Sequence, residues 1–263
     1  MKQTLLALVC GVAIVVSGGC GKQRTAVTAA GSTAFQPFAE KLAEQFMAKQ
    51  PDIAVTIQGG GSALGIQAAL SGAAQIGMAD LVKLPPEAEA LTSVIVARDG
   101  IAIVVNNANP VKDLTMEQIH DIFNGKIRNW KELGGADHNI TVVSREAGSG
   151  TRSSFEKIVK DVTLTKDAII QDSNGTIRET VIMDANAIGY LSHGLLNEKL
   201  KAVTVHGMAC TTEEIVAGRY PLVRPVYLLT KGEPTGACKA FIDYVCSAEG
   251  QKTIKDSGLI PAK

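Results

Sequence analysis

Three short segments rich in glycine and hydroxyl residues stand where a strand pattern gives way to a helix pattern. They are Ala30–Phe35 (AGSTAF), Gly59–Leu64 (GGGSAL) and Arg145–Thr151 (REAGSGT). The first N–H groups of a helix lack intrahelical partners, and its N-terminus carries a partial positive charge. Glycine lets an anion approach the backbone, so each turn can hold an oxyanion. Three such turns favour a fold that brings three helix starts to one point.

The bulk composition excludes recruitment of a partner by charge. The 263 residues contain 26 basic and 26 acidic side chains, with 46% hydrophobic and only 4% aromatic residues. A nucleic-acid partner would require a basic excess, which this sequence lacks. The length suits one large domain or two of about 100 to 120 residues each.

The first 19 residues have the pattern of an export signal. Lys2 precedes an apolar run from Leu5 to Val16, which is too short to span a bilayer as an ordinary helix. The following Ser17-Gly-Gly-Cys20 resembles a bacterial lipoprotein signal, which implies cleavage before Cys20, lipidation of its thiol and contact with the membrane through that lipid only. Ser17 departs from the bulky aliphatic residue usual there, so a plain secretory signal is the alternative.

The remaining cysteines predict neither a metal site nor a catalytic thiol. Without Cys10 in the signal and Cys20 at the lipid, three thiols remain: Cys210, Cys238 and Cys246. The last two are about 12 Å apart if they share a helix, so any disulfide should involve Cys210. No spacing is typical of metal ligands, and we expect no cofactor.

Around the first two turns, the pattern strand, turn, helix occurs twice in succession. Strands are predicted at 26–30 and 53–58, with helices through Lys49 and over 62–70. A third strand over 75–78 brings Asp80 to its carboxyl end, where ligands bind in open α/β sheets.

The rest of the chain predicts a second lobe and a return to the first. Strand Ile101–Val105 leads to a turn-rich exit, and strand Val226–Thr230 returns. We expect an α/β fold with lobe 1 formed by residues 25–106 plus 225–263, lobe 2 by residues 107–224, and the ligand in the cleft between them. Further helices are predicted at 115–123, 149–160, 237–247 and 249–255, and strands at 140–144, 168–171, 187–191 and 203–206.

If the three turns face one point, they surround a tetrahedral anion with donors from both lobes. The donors are the hydroxyls of Ser32, Thr33, Ser62, Ser149 and Thr151 and the backbone N–H groups of Ala34 and Gly150. Arg145 would add a two-pronged contact to two anion oxygens. Hydrogen bonds to a charged group contribute about 1.5 to 3 kcal/mol each, enough together for roughly micromolar affinity.

Asp80 narrows the choice of anion. A carboxylate 4 Å from a bare dianion repels it by on the order of 4 kcal/mol at an effective dielectric near 20. A protonated phosphate instead donates its proton to the carboxylate, whereas sulfate at neutral pH offers only acceptors. The arrangement predicts selection of phosphate over sulfate.

Each residue also has a purely structural reading. A hydroxyl at a helix start is usually an N-cap, Arg145 an ion-pair partner and Asp80 a turn cap. Arg152 is expected to pair with Glu156, and Trp130 to pack inside a lobe.

The chain resembles the substrate-binding lipoproteins of phosphate-specific ABC transporters. Four segments carry this resemblance: AGST in the first turn, GGGSA in the second, GMAD at 77–80, and Arg145–Arg152. The resemblance covers nearly the whole mature chain. It implies a type II periplasmic binding protein fold that closes, as a monomer, on inorganic phosphate and delivers it to the permease subunits of an ABC importer. The family's phosphate contacts fall on Ser32, Thr33, Ala34, Ser62, Asp80, Arg145, Ser149, Gly150 and Thr151.

Other functions remain open at this stage. A molybdate or tungstate receptor fits the turns but not Asp80, because those anions carry no proton at neutral pH. A secreted phosphatase would use Ser149 or Thr151 as nucleophile, yet Glu146 is the only nearby candidate base. Uptake and signalling receptors share the same sequence features. We expect a receptor and not an enzyme.

Overall fold

The computed structural model describes residues 24–262, which form a mixed α/β architecture. The strands are β1 (Thr25–Gly31), β2 (Ile53–Gln58), β3 (Ile76–Asp80), β4 (Thr92–Asn106), β5 (Asp113–Leu114), β6 (Thr141–Arg145), β7 (Ile169–Gln171), β8 (Ala187–Ser192), β9 (Leu200–Ala202), β10 (Thr204–Val205), β11 (Val223–Thr230) and β12 (Ile260–Pro261). The helices are α1 (Gln36–Lys49), α2 (Ser62–Ser71), α3 (Met116–Phe123), α4 (Gly150–Val159), α5 (Asn174–Met183), α6 (Thr212–Val216), α7 (Gly236–Cys246) and α8 (Ala248–Asp256). Short 3-10 segments lie at Pro86–Ala90, Trp130–Leu133 and His193–Leu195.

The predicted export signal and the lipidation of Cys20 lie outside the described residues. Within residues 24–262, no helix is both long and apolar enough to cross a membrane. Cys210 and Cys238 are free thiols there, and Cys210 is buried.

Most strands belong to one mixed sheet, ordered β2-β1-β3-β11-β4-β8-β6-β7, with β9 and β12 also pairing with β4. Strands β1, β2 and β3 run parallel, as do β6, β7 and β8, so each group is joined through helices. Strand β11 is antiparallel to both β3 and β4 and lies between them. The carboxyl ends of β1, β3 and β6 carry the residues that sequence analysis placed at the site.

Two main hydrophobic cores flank this sheet, and β4 passes through both. Val96 and Ala97 pack with α1 and α7 in the first core, whereas Ile101–Val105 pack with α3, α4 and α5 in the second. Strand β11 pairs with β4 from Gly100 back to Thr92, and β8 pairs with the following residues 101–105. The division into lobes at residues 106/107 and 224/225 stays a prediction.

Local sequence explains why α1 and α3 begin where they do. Pro37 lies in the first turn of α1, where a missing N–H costs nothing, and Phe38, Leu42 and Phe46 are buried along one face. Thr115 and Gln118 form a reciprocal capping box at the start of α3.

The structure confirms most of the predicted elements within a few residues. The strand predicted at 203–206 corresponds to the two-residue β10, and the strand predicted at 101–105 is the second half of the 15-residue β4. The short elements β5, β9, β12 and α6 were not predicted. Helix α5 was not foreseen, because Ser173-Asn174-Gly175 has turn composition. The signal for α5 is the capping box between Ser173 and Thr176.

Gly65 lets α2 pack directly on the sheet. A Cβ at this position would lie 2.5 Å from the carbonyl oxygen of Met78 and 2.7 Å from that of Ala30. Both obstacles are backbone atoms of β3 and β1, which cannot rotate away. The close approach brings the start of α2 to the carboxyl ends of these strands.

We predict that Gly65→Ala destabilises the protein by about 1 to 3 kcal/mol, because the added methyl group forces α2 off the sheet. Gly175→Ala is the matched control: its Cβ would have Ser173 Oγ as nearest neighbour at 3.7 Å, and alanine favours helix by up to about 1 kcal/mol. Urea unfolding of both variants gives the comparison. Equal stabilities of Gly65→Ala and wild type would contradict the packing argument.

Candidate functional site

The third turn ends β6 and starts α4 with its donors directed outward from the helix. Ser149 is the N-cap, and its Oγ accepts a hydrogen bond from the N–H of Arg152 at 3.2 Å. Gly150 and Thr151 are the first two residues of α4, where backbone N–H groups have no partner inside the helix. Ser149, Gly150 and Thr151 are all buried. The N-cap reading of Ser149 is therefore confirmed, and the N–H groups of Gly150 and Thr151 have no partner inside the helix.

The first two turns are held together by backbone hydrogen bonds. The N–H of Gly61 donates to the carbonyl of Gly31 at 2.9 Å, and the N–H of Ser32 donates to Met78 at 2.9 Å. The Oγ of Ser32 accepts from the N–H of Phe35 at 3.0 Å, so its O–H proton is the donor that Ser32 can offer a ligand.

The second and third turns contact each other through Gly61 and Gly148. Gly61 has φ of +88°, and a Cβ there would lie 2.8 Å from the carbonyl oxygen of Gly148. The N–H of Ala63 in α2 donates to that same carbonyl at 3.2 Å. Only glycine suits position 61, because the conformation is left-handed and the third turn is too close for a side chain.

Arg145 joins the first and third turns. Its Nη2 donates to Thr33 Oγ1 at 3.3 Å, across 112 residues of sequence. Together with the contacts of Gly61, this hydrogen bond brings the three turns to one place, as the sequence predicts.

Asp80 lies between the second and third turns. Its Oδ1 accepts from Ser62 Oγ at 2.9 Å, while Ser62 Oγ accepts from the Asp80 N–H at 3.1 Å. Its Oδ2 accepts a long hydrogen bond from Thr151 Oγ1 at 3.4 Å and lies 2.5 Å from Arg224 Nη1. The carboxylate is 1% exposed. A ligand at the turns would therefore meet an ion-paired carboxylate that is almost fully removed from water.

Sequence analysis missed Arg224, the cation of this centre. Arg224 lies on β11 with 0% exposure, and it also pairs with Asp99 on β4, Nη2 to Oδ2 at 2.9 Å. Burial raises the pKa of the Asp99 carboxyl, against the opposing effect of Arg224. Removing Arg224 would leave two buried carboxylates without their cation, and breaking a buried ion pair in this way typically costs about 3 to 5 kcal/mol. The only sequence signal was an arginine inside the pattern of a buried strand.

Arg145 is arranged differently from the expectation. Its Nε and Nη2 make a two-pronged contact with the carboxylate of Glu146, at 2.8 Å each, so this pair of donors already holds a carboxylate. Its Nη1 is buried and has no hydrogen-bond partner among the described residues. An unsatisfied buried donor costs about 1 to 3 kcal/mol, more when charged, so Nη1 is the group of Arg145 best suited to an anion.

Asn174, the first residue of α5, is a second residue that sequence analysis missed. It is 1% exposed, and its Nδ2 donates to Thr33 Oγ1 at 3.4 Å and to Thr151 Oγ1 at 3.3 Å. Its amide therefore touches hydroxyls of both the first and the third turn. Its place at a helix start, after the Ser173 cap, was the available signal.

Tyr190 supports β6 from behind. Its hydroxyl shares a 2.8 Å hydrogen bond with Ser144 Oγ, and its ring stacks on Phe155 with centroids 4.3 Å apart. Burial raises the pKa of Tyr190 to about 12, so it stays a neutral phenol at physiological pH. Its role is to hold the strand that ends in Arg145.

Two structural readings from the sequence are confirmed. Arg152 pairs with Glu156 at 2.7 Å, and its Nη1 also donates to the carbonyl of Arg145 at 2.8 Å. Trp130 is buried in the second core.

The site is dipolar rather than cationic. Arg145, Arg152 and Arg224 each pair with a carboxylate. The described residues contain no group of acidic, histidine or cysteine side chains that could hold a metal ion. A cavity of about 240 Å³ touches Ser62, Ser149 and Gly150, three of the predicted donors, but its lining includes Lys83 and Glu87 and not Thr33, Asp80, Arg145 or Thr151. Hydroxyls and helix N-termini are therefore the features that favour an anion here.

In this chain two groups of parallel strands end at helix N-termini that converge, and β4 joins the two cores. This arrangement is typical of two-lobed solute-binding proteins. The profile of the PBP superfamily domain matches residues 19–249, and the chain belongs to that family. The type II periplasmic binding protein fold expected from the sequence is confirmed by this match and by the solved structures.

Three relatives illustrate the similarity. The phosphate-binding protein PstS of Bacillus subtilis is 39% identical over 245 residues, 91% of this chain and 82% of that protein. The crystal structure of a candidate phosphate ABC transporter substrate-binding protein from Clostridium perfringens, with bound phosphate, is 43% identical with a TM-score of 0.88, covering 91% of this chain and 100% of that one. An ABC-type phosphate transport receptor from Vibrio cholerae is 36% identical with a TM-score of 0.75, covering 89% of this chain and 99% of that one.

Proposed function

We propose that this protein is a receptor that binds inorganic phosphate between its three turns and delivers it to an ABC importer. The observation that carries the proposal is the convergence of the three turns: Ser62 and Thr151 contact Asp80, and Thr33 contacts Arg145, whose Nη1 has no partner among the described residues. Relatives named as phosphate-binding proteins, one of them solved with phosphate, support the same ligand.

The proposed contacts are those that the sequence predicts. The hydroxyls of Ser32, Thr33, Ser62, Ser149 and Thr151 and the N–H groups of Ala34 and Gly150 would donate to phosphate oxygens, with Arg145 acting through Nη1. Glu146 neutralises Arg145, so the full charge of this guanidinium is not available to the ligand. Binding would rest on short-range hydrogen bonds, each about 1.5 to 3 kcal/mol for a charged acceptor.

Asp80 is proposed to read the proton of the ligand. Arg224 lies against Oδ2, and Ser62 donates to Oδ1, so the carboxylate presents acceptors to the cleft. A phosphate that keeps one proton can donate it to Asp80. Sulfate has no proton to give and would face a carboxylate at close range.

A phosphatase is the less favoured alternative. It would need a base near Ser149 or Thr151, and Glu146 was the only candidate from the sequence. In the structure Glu146 is held by both Nε and Nη2 of Arg145, so it cannot approach a hydroxyl without breaking that ion pair. The structure places a second carboxylate near Thr151, that of Asp80 at 3.4 Å, but the same oxygen is held by Arg224 in a buried ion pair. The similar proteins reported above are binding proteins, which also favours a receptor without enzymatic activity.

The proposal also includes four further properties: delivery to the permease, export, a monomeric state and a lipid on Cys20.

We predict that palmitate labelling of cells expressing the protein marks the wild type and not Cys20→Ser, because the lipid would be attached to this thiol. Labelling of both, or of neither, would contradict it.

We predict that isothermal calorimetry shows phosphate binding with micromolar or tighter affinity. Arsenate, which has the same shape and protonation, should also bind, whereas sulfate and molybdate should bind at least about 100-fold more weakly. No heat with phosphate, or equal affinity for sulfate, would overturn the proposed function.

We predict that Asp80→Asn reduces the phosphate-to-sulfate affinity ratio at least tenfold, because the amide can donate to sulfate and no longer repels it. Asp99→Asn is the matched control, since Asp99 shares Arg224 with Asp80 but contacts Ser192 instead of the turns. Calorimetry with both anions measures the ratio. An unchanged ratio in Asp80→Asn would contradict proton reading.

A further inference from the structure

The orientation of the Asn174 amide is fixed by its backbone neighbour. The N–H of Ser192 donates to Asn174 Oδ1 at 3.0 Å. A backbone N–H can only donate, so the amide oxygen must face β8 and the NH₂ group must face the turns. The two N–H bonds of Nδ2 then point to Thr33 and Thr151.

This orientation determines which way the Thr33 hydroxyl can point. Thr33 Oγ1 receives one hydrogen bond from Asn174 Nδ2 and another from Arg145 Nη2. A hydroxyl has two acceptor sites and one donor proton. Both acceptor sites are occupied, so the proton of Thr33 must be given to a further acceptor.

The Thr151 hydroxyl also accepts a hydrogen bond from Asn174, which restricts where its own proton can point. It receives the second N–H of Asn174 at 3.3 Å, and its own proton is directed at Asp80 Oδ2 over a long 3.4 Å contact. A phosphate oxygen between the turns would be a competing acceptor for that proton. Asn174 thus supplies hydrogen bonds that leave both threonines as donors.

We propose that Asn174 is a positioning residue that sets the Thr33 and Thr151 hydroxyls as donors to the anion. The inference rests on the proposed phosphate site and adds to it a residue that acts through the threonines instead of touching the ligand. Donors oriented before binding need not be reoriented by the ligand, so their contribution to affinity is not spent on ordering.

The experiment compares Asn174→Ala with Asn174→Asp by phosphate calorimetry and thermal unfolding. Asn174→Ala should weaken phosphate binding about 10- to 100-fold. Asn174→Asp keeps the size of the side chain and the acceptor for the Ser192 N–H, so it retains the local packing. It should nevertheless weaken binding more than alanine, because a carboxylate accepts the threonine protons and repels the anion.

Asn109→Ala is the matched control. Asn109 is also buried, and its Oδ1 also accepts a backbone N–H, that of Val111 at 3.0 Å. It contacts none of the three turns through that bond. A similar loss of stability with unchanged phosphate affinity is expected, which separates a structural role from the orientation of donors.

A mutant cycle with Thr33→Val and Thr151→Val decides between positioning and direct contact. In the double valine background, Asn174→Ala should weaken binding less than about threefold, because the hydroxyls it orients are absent. An undiminished effect would mean that Asn174 binds the anion itself, and this would overturn the inference.

The wild-type measurement separates failure of the inference from failure of the proposed function. A wild type that does not bind phosphate refutes the receptor proposal and with it this role for Asn174. A wild type that binds phosphate with the same affinity as Asn174→Ala and Asn174→Asp refutes the positioning role alone.

Discussion

The buried ion pair between Asp80 and Arg224 is the constraint around which the rest of this site is built. A carboxylate with 1% exposure is costly unless its charge is paired and its remaining lone pairs are hydrogen-bonded. Arg224 from β11 provides the charge, and Ser62 from α2 and Thr151 from α4 provide hydrogen bonds. The pairing requirements of Asp80 thus fix the positions of three elements: the starts of α2 and α4 and the strand β11.

The pairing of each nearby arginine with a carboxylate also bears on how a chain without net charge can favour an anion. Each arginine near the turns is already paired, and Glu146 occupies two donors of Arg145. The groups that remain are hydroxyls and the first N–H groups of helices, whose fields act over a few ångströms. In the proposed site an anion gains affinity only when it fits the donors closely, so the proposal makes shape and protonation the basis of selection.

Local features of the sequence were enough to predict the three turns, the helices that follow them and the place of Asp80 at the end of β3. Turn composition and helix periodicity depend on neighbouring residues, and these determine each such element. Arg224 and Asn174 could not be predicted because their importance depends on pairing between distant segments: β11 inserts between β3 and β4, and α5 packs its first residue against the turns. The long β4 was foreseen only in part, since its first half is less continuously apolar than residues 101–105.

The two residues that sequence analysis missed are connected to each other. Asn174 Oδ1 accepts from the Ser192 N–H, Ser192 Oγ donates to Asp99 at 2.9 Å, and Asp99 pairs with Arg224, which pairs with Asp80. This chain of contacts runs through β4 and β11, whose residues pack in both cores or pair beside them. Asn174, proposed to orient the hydroxyl donors, and Asp80, proposed to accept the proton of the ligand, are thus joined by one continuous series of hydrogen bonds and ion pairs across β8, β4 and β11.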